Sequence, residues 1–524
     1  MVQLSTNNSL GGPTVPKGGW VAKRQEASSY AILYQARPTD TNREANVSRP
    51  VETAWRGFFF ATRPVLRTRP GHPAGDRTAL VDARPGRYIY ARNANFSASL
   101  KGNEMLSERR FLAIVAVAVV LNATGTHAAD WPAFRGPHGD GISTEMDLPL
   151  HWGPDQNIKW KAALPAPGNS SPIVSKGKVF VTCATDAGQH RGLYCYDRRT
   201  GDLLWSQLVA FDRPDPTHQT NPYCGSSPAA DGTRVVVWHG SAGLYCYDYE
   251  GKKIWSRDLG IFKHIWGYGS SPVFYGDRII LNCGPGERTF VTAIDSANGQ
   301  TVWQADEPGG ASGEKGATEW IGSWSTPVVA KVNGRDQLIV SLPFHVNGYD
   351  PHDGTIVWSC EGLDKLAYTS PLVGDGVAVA MGGYHGPALG CRLGGSGNVT
   401  GINRLWHITD KNPQRIGSGV IVGQNLYMAN EQQLAQCIDV ATGKDRWQSR
   451  MSDGAIWSSL VLAGDRLYVT NQNGTTIVFR ASPEKFELLA ENRLDESSNS
   501  TIAISDGEIF LRTFKHLYCI GQAK

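Results

Sequence analysis

The chain has 524 residues, 41% of them hydrophobic and 19% charged, with 59 Gly and 16 Trp. That length exceeds what one small core needs, and the composition favours a globular, turn-rich β fold over helices. The net charge of +3 is uneven: residues 1–104 hold 15 Lys/Arg and 7 Asp/Glu, so they carry 15 − 7 = +8 and the rest sums to 3 − 8 = −5. A body of that charge has no nucleic-acid footprint.

Residues 1–104 are rich in Arg and Pro and lack a steady hydrophobic period. They read as a disordered extension, or as sequence upstream of a misassigned start with Met105 as initiator. A cytoplasmic tail before an uncleaved anchor is the alternative. Residues 105–129 read as a signal peptide: MLSERR is a basic n-region, FLAIVAVAVVL an apolar h-region, and NATGTHAA a small-residue tail with cleavage near Ala128. The apolar run is too short for a membrane span. The expected location is therefore periplasmic or secreted, with no membrane span after cleavage. Residues 130–156 form a lead-in.

Residues 157–524 repeat. Short Ser/Thr-rich steps recur: SSPIV at Ser170, SSPAA at Ser226, SSPVF at Ser270, STPVV at Ser325, TSPLV at Thr369, GSGVI at Gly417, SSLVL at Ser458 and STIAI at Ser500. Each opens a run of β signals. Most units close on x-Asp-x-x-Thr-Gly-x-x-x-Trp, as in CYDRRTGDLLW and CIDVATGKDRW, with a stretched version, CRLGGSGNVTGINRLW. A period of this length marks stacked or circular repeats. The last unit stops at LYCIG, and a spare strand, NIKWKAAL, precedes the first opening. A ring closes if that strand completes the last unit. The expected fold is all-β: an eight-bladed β-propeller of four-stranded blades, closed by an N-terminal strand.

In the repeat, Asp197 can accept turn N–H groups and Gly201 can supply a left-handed backbone. A small residue is expected at one repeat position, filled by Cys195, Cys246, Cys391, Cys437 and Cys519. The following Trp is expected to wedge between blades. The docking set is Trp160, Trp205, Trp255, Trp303, Trp358, Trp406 and Trp447. Nine cysteines cannot all pair. Burial as small hydrophobes explains most of them, and Cys183, Cys224, Cys283 and Cys360 stand outside the repeat position.

These residues resemble the tryptophan-docking repeat of the pyrroloquinoline-quinone-like propeller superfamily, which includes quinoprotein alcohol dehydrogenases and outer-membrane assembly lipoproteins of the BamB type. DWPAFRGPHGDGIS, from Asp130, resembles the lead-in of secreted bacterial members. The dehydrogenase branch implies quinone and calcium, an adjacent Cys pair and often a C-x-x-C-H segment. The sequence has neither cysteine motif, and its scattered oxygen ligands (Glu287, Asn347, Asp350) form no evident set. The lipoprotein branch implies a lipidated Cys after the signal, and none follows the h-region. The resemblance therefore implies a fold more than a function, and no cofactor is expected. The leading reading is a binding or scaffold module. A quinone-dependent oxidoreductase and a carbohydrate-binding propeller are the alternatives.

A site is expected at one mouth of the central channel, where the residue before each opening step lies. Those residues are Asn169, Gly225, Gly269, Trp324, Tyr368, Ile416, Trp457 and Asn499. Trp324, Tyr368 and Trp457 are the candidate binding aromatics, with Trp266, Tyr268, Trp320 and Arg415 close in sequence. The expected occupant is a protein partner, a small ligand or a glycan. Channel plugs are the competing role for these aromatics.

Overall fold

The computed structural model describes residues 130–522 apart from Pro214, Pro308, residues 311–319 and Lys411. The expected extension and signal peptide lie outside the described residues. Eight antiparallel sheets follow one another around a ring. Blade one is typical: Ile173–Ser175 is innermost, then Lys178–Thr185, His190–Asp197 and Leu203–Ala210. The inner three strands are covered on both faces by neighbouring blades, so their sequences are almost continuously apolar. Only the outermost strand meets solvent, where Leu203, Leu204 and Leu208 are exposed.

The core is a sequence of inter-blade layers rather than one central mass. Phe180, Leu193 and Cys195 of blade one pack with Val235, Val237 and Tyr247 of blade two, and comparable clusters join each later pair. The largest cluster runs from blade seven through blade eight to blade one. Closure comes from Ile158–Ala163, which pairs antiparallel with His516–Ile520 and sets Trp160 opposite Cys519. The ring has no seam at its ends.

The opening steps explain the inner rim. The amide of each second residue donates to the hydroxyl of its counterpart in the next blade. The chain of bonds runs Ser171, Ser227, Ser271, Thr326, Ser370, Ser418, Ser459, Thr501 and back to Ser171, at 2.8–3.2 Å. Inner-strand amides with no intrablade partner are thereby satisfied. This closed circuit accounts for the Ser/Thr period.

Six of the seven docking tryptophans donate their indole N–H to a backbone carbonyl in the next blade's turn: Trp160 to Arg198, Trp205 to Tyr249, Trp255 to Ser296, Trp303 to Pro351, Trp406 to Val440 and Trp447 to Ser482, at 2.8–3.0 Å. Asp197 Oδ1 accepts the amides of Arg199 and Thr200, and Gly201 lies at φ 77°. A Cβ on Gly201 would stand 2.6 Å from the Trp160 ring. Trp358 departs from the expectation. Its indole donates to Gln337 of its own blade, 2.8 Å away. The next blade carries the stretched loop instead of an Asp–Thr–Gly turn, and that loop adds Gly397–Asn398 as a fifth strand beside Trp358 and Ser359. Cys391 also leaves its expected place. Gly390 stands opposite Trp406, where Cys195 stands opposite Trp205, while Cys391 faces Arg404.

The lead-in crosses the far end of the channel. Trp131 pairs with Val174 of blade one. Arg135 reaches Gly419 O of blade six at 2.6 Å, and Ile142–Ser143 lies parallel to Val461–Ala463 of blade seven. One segment thus ties three blades together.

Glu496 links blade eight to the closing strand. It accepts from Thr513 Oγ1 at 2.6 Å and pairs with Lys161 at 3.0 Å and His516 at 2.9 Å. Burial pushes its carboxyl up, but hydrogen bonds from Thr513, His516 and Lys161 outweigh that and bring its pKa from 4.5 to about 2. A carboxylate lowered in the folded state contributes stability that is complete above its unfolded pKa and is lost as pH falls through the folded value. Glu496→Gln should therefore melt below wild type at neutral pH. The gap should close between pH 4.5 and about 2. A gap unchanged across that window would contradict the assignment.

Candidate functional site at the channel mouth

All eight residues that precede the opening steps line one cavity of about 400 Å³ at the channel mouth. They converge because each leads into an inner strand two residues before the hydroxyl circuit, on the same side of the extended backbone. Blades four, five and seven contribute Trp324, Tyr368 and Trp457, all half-buried. Blades eight and one contribute Asn499 and Asn169, across the ring from Trp324 and Tyr368, while Trp457 of blade seven stands beside Asn499. The mouth has an aromatic arc and an amide arc.

Trp324, Tyr368, Trp266, Trp320 and Tyr384 form one array of edge-to-face, tilted and stacked rings, and among the described residues Trp457 makes no ring contact with it. Trp324 and Tyr368 meet at 5.2 Å and 80°, and Trp266 and Trp320 at 4.9 Å and 70°. Such geometry aligns positive ring edges with negative faces. His264 supports it from behind, at 4.8 Å from Trp324. Burial lowers the His264 pKa to about 4, so the imidazole is neutral near pH 7. Its Nδ1 accepts the Trp266 amide at 3.2 Å. Trp324 donates to Gly267 O at 2.9 Å, and Trp457 to Glu431 Oε1 at 3.2 Å.

The amide arc is held by the long insertion after blade one. Asn169 and Asn499 both donate to Thr220 O, and Asn221 donates to the carbonyls of Trp266 and Tyr268. These bonds fold His218, Thr220 and Asn221 into the cavity wall. The blade-three insertion reaches the same mouth through Trp320. Its residues 311–319 lie outside the described residues.

Three candidates do not line the cavity: Trp320, which packs behind Trp266, and two buried residues. Tyr268 is buried, packed on Trp238 at 5.2 Å, with its hydroxyl donating to Tyr223 O. Arg415 is buried and donates to Gln436 at 3.2 Å; burial lowers its pKa to about 10. Both immediately precede a mouth-lining residue, and alternation along extended backbone turns neighbours to opposite sides. Tyr384, Glu431 and Phe134 line the cavity without having been singled out in the sequence. Tyr384 stacks on Trp266 at 5.9 Å and 21°. Its hairpin, GGYHG, carries a Gly-rich turn signal. Phe134 had no signal, because its place depends on the lead-in crossing the ring.

The residues present do not fit the quinone and calcium of the dehydrogenase branch. Among the described residues no three His, Cys, Asp or Glu side chains are grouped to hold a metal ion. Asn347 is bonded to Tyr349 and Glu307, and Asp350 caps its turn by accepting the His352 amide. Glu431 is the only carboxylate among the cavity-lining residues, and one of its oxygens already accepts from Trp457.

A family model described as outer membrane protein assembly factor BamB, of the PQQ-like repeat type, matches residues 189–449 and 288–523. The chain belongs to this PQQ-like repeat family. Among solved structures it is similar to a europium-containing methanol dehydrogenase, 10% identical over 75% of this chain and 98% of that one, with a TM-score of 0.57. It is also similar to the quinohemoprotein alcohol dehydrogenase of Comamonas testosteroni, 12% identical over 78% and 83%, TM-score 0.55. BamB from Moraxella catarrhalis is 13% identical over 70% and 97%, TM-score 0.49. At such identities the likeness concerns the fold alone. No curated protein matches the sequence. Among the described residues no helix is long and apolar enough to cross a membrane.

Proposed function

We propose that this chain is an exported binding propeller whose channel mouth captures a small ring-shaped polar ligand, a saccharide unit being the best fit. One observation carries the reading: a single cavity of about 400 Å³ sets Trp324, Tyr368, Trp457 and Trp266 against an arc of amide and hydroxyl groups. A sugar ring has the same two-sidedness. Its C–H face stacks on aromatic rings, and its hydroxyl rim seeks amides and hydroxyls. Aromatic side chains also lose little rotamer freedom on binding. Export rests on the basic, apolar and small-residue succession of residues 105–129. A protein partner that inserts a side chain into the mouth is a second reading, supported by the assembly-factor description of the family.

Titration calorimetry with neutral mono- and disaccharides tests the proposal. Wild type should bind at least one saturably. The double variant Trp324→Ala/Trp457→Ala should lose that binding by tenfold or more while melting within a few degrees of wild type, since both rings are only half-buried. A large melting shift with binding unchanged would make these rings channel plugs.

A further inference from the structure

The floor of the mouth cavity, which is the neck of the channel, holds donors that the fold leaves unused. Every hydroxyl of the closed Ser/Thr circuit accepts one amide. Among the described residues none of the eight O–H groups has an acceptor. All eight residues line the mouth cavity and are only 1–5% exposed. A buried hydroxyl whose lone pair is engaged and whose proton is free is a donor in search of an acceptor.

Arg135 lies just beyond this circuit. Its guanidinium is buried and donates to Gly139 O, Asp140 O and Gly419 O at 3.1, 2.7 and 2.6 Å. Gly419 directly follows Ser418 of the circuit. Nη1 has no partner. Three carbonyls therefore face the charge, and among the described residues no carboxylate pairs with it. Burial lowers its pKa only to about 10, so the group is cationic near pH 7. The Asp140 charge acts on Arg135 but makes no ion pair with it, so the buried cation lacks a directly bonded counter-charge, which is unfavourable. Arg135 lines a second cavity of about 350 Å³ at the far end, and Phe134, Thr326 and Ser370 line both cavities. Arg135 and the circuit members Thr326 and Ser370 thus line one cavity. Glu431, the carboxylate of the mouth wall, lines the other cavity and has one oxygen engaged by Trp457.

We propose that the channel neck is an anion site, in which a small oxyanion is held by Arg135 Nη1 and by O–H donors of the Ser/Thr circuit. Inorganic phosphate, sulfate and the carboxylate of an organic acid share the required chemistry. Charge-assisted bonds from guanidinium and hydroxyl donors to such oxygens are the strong ones. The inference requires no ligand in the aromatic mouth, although the circuit also forms the floor of that cavity.

Crystals soaked in sodium selenate provide the direct test, read by anomalous scattering. The expected result is a peak within hydrogen-bond distance of Arg135 Nη1 and at least one circuit hydroxyl, removed by competing phosphate. Calorimetry with phosphate, sulfate and acetate at constant ionic strength separates inorganic from carboxylate sources. Arg135→Gln should weaken the preferred anion at least tenfold, whereas Arg493→Gln, on the exposed outer strand of blade seven, should leave it unchanged. If Arg135→Gln fails to fold, the wild-type soak decides. Water alone at the neck, surface peaks only, or a peak indifferent to phosphate would overturn the proposal.

Discussion

Deletion of residues 130–163 should abolish the cooperative melt of the propeller. The segment supplies the fourth strand of blade eight, and Trp160 on that strand docks onto Arg198 O of blade one. Without it, the strand His516–Ile520 becomes an open edge, and the cluster joining blades seven, eight and one loses Trp131, Leu148, Trp152 and Trp160. Each of the three buried Trp lost costs about 3–5 kcal/mol and Leu148 about 2–5 kcal/mol, which together match the whole stability of an ordinary domain, about 5–15 kcal/mol. The truncated chain should aggregate or melt without a transition. The single change Trp160→Ala should lower the melting temperature while keeping cooperativity. A truncated protein that melts like wild type would refute closure by this strand.

Trp255→Ala should be among the most damaging single changes outside the closing segment. Trp255 is 8% exposed, donates to Ser296 O of blade three at 2.9 Å, and covers Gly299. Truncation leaves a cavity between blades two and three and an unmet carbonyl, for about 3–5 kcal/mol. In a chain this long, at roughly 2 °C per kcal/mol, the melting temperature should fall by about 5–10 °C. Gly299→Ala attacks the same contact from the other side. Its φ is +75°, and a Cβ there would stand 2.7 Å from the Trp255 ring. Both variants should be destabilised, and Trp447→Ala, whose ring is only half-buried, should lose less. Equal melting of Trp255→Ala and wild type, by calorimetry, would remove the docking account.

The sequence made the blade count and the mouth-lining positions legible, because both follow from period. SSP-type steps recur once per blade, and a residue at the same phase in each unit arrives at the same height in the ring. Register was legible only where the turn was regular. The stretched loop shifted the repeat by one residue, so Gly390 rather than Cys391 faces Trp406, and Trp358 turned to Gln337. Tyr268 and Arg415 are close to the mouth in sequence but lie behind its wall, since adjacent extended residues point apart. The path of the lead-in across the far end of the channel was illegible for another reason. Arg135 meets Gly419 across 284 residues, and no local pattern encodes a contact of that range. The hydroxyl circuit lay in plain view as a Ser/Thr period, yet its hydrogen bonds exist only between blades.

The claim that the aromatic and amide arcs of the channel mouth form the binding site is tested most directly by a crystallographic screen. Crystals of the protein would be soaked with a library of small saccharides and flat ring compounds. Bound ligands should concentrate in the mouth cavity lined by Trp324, Tyr368, Trp457, Asn169 and Asn499. Ligands found repeatedly elsewhere, with the mouth empty at saturating concentration, would contradict it.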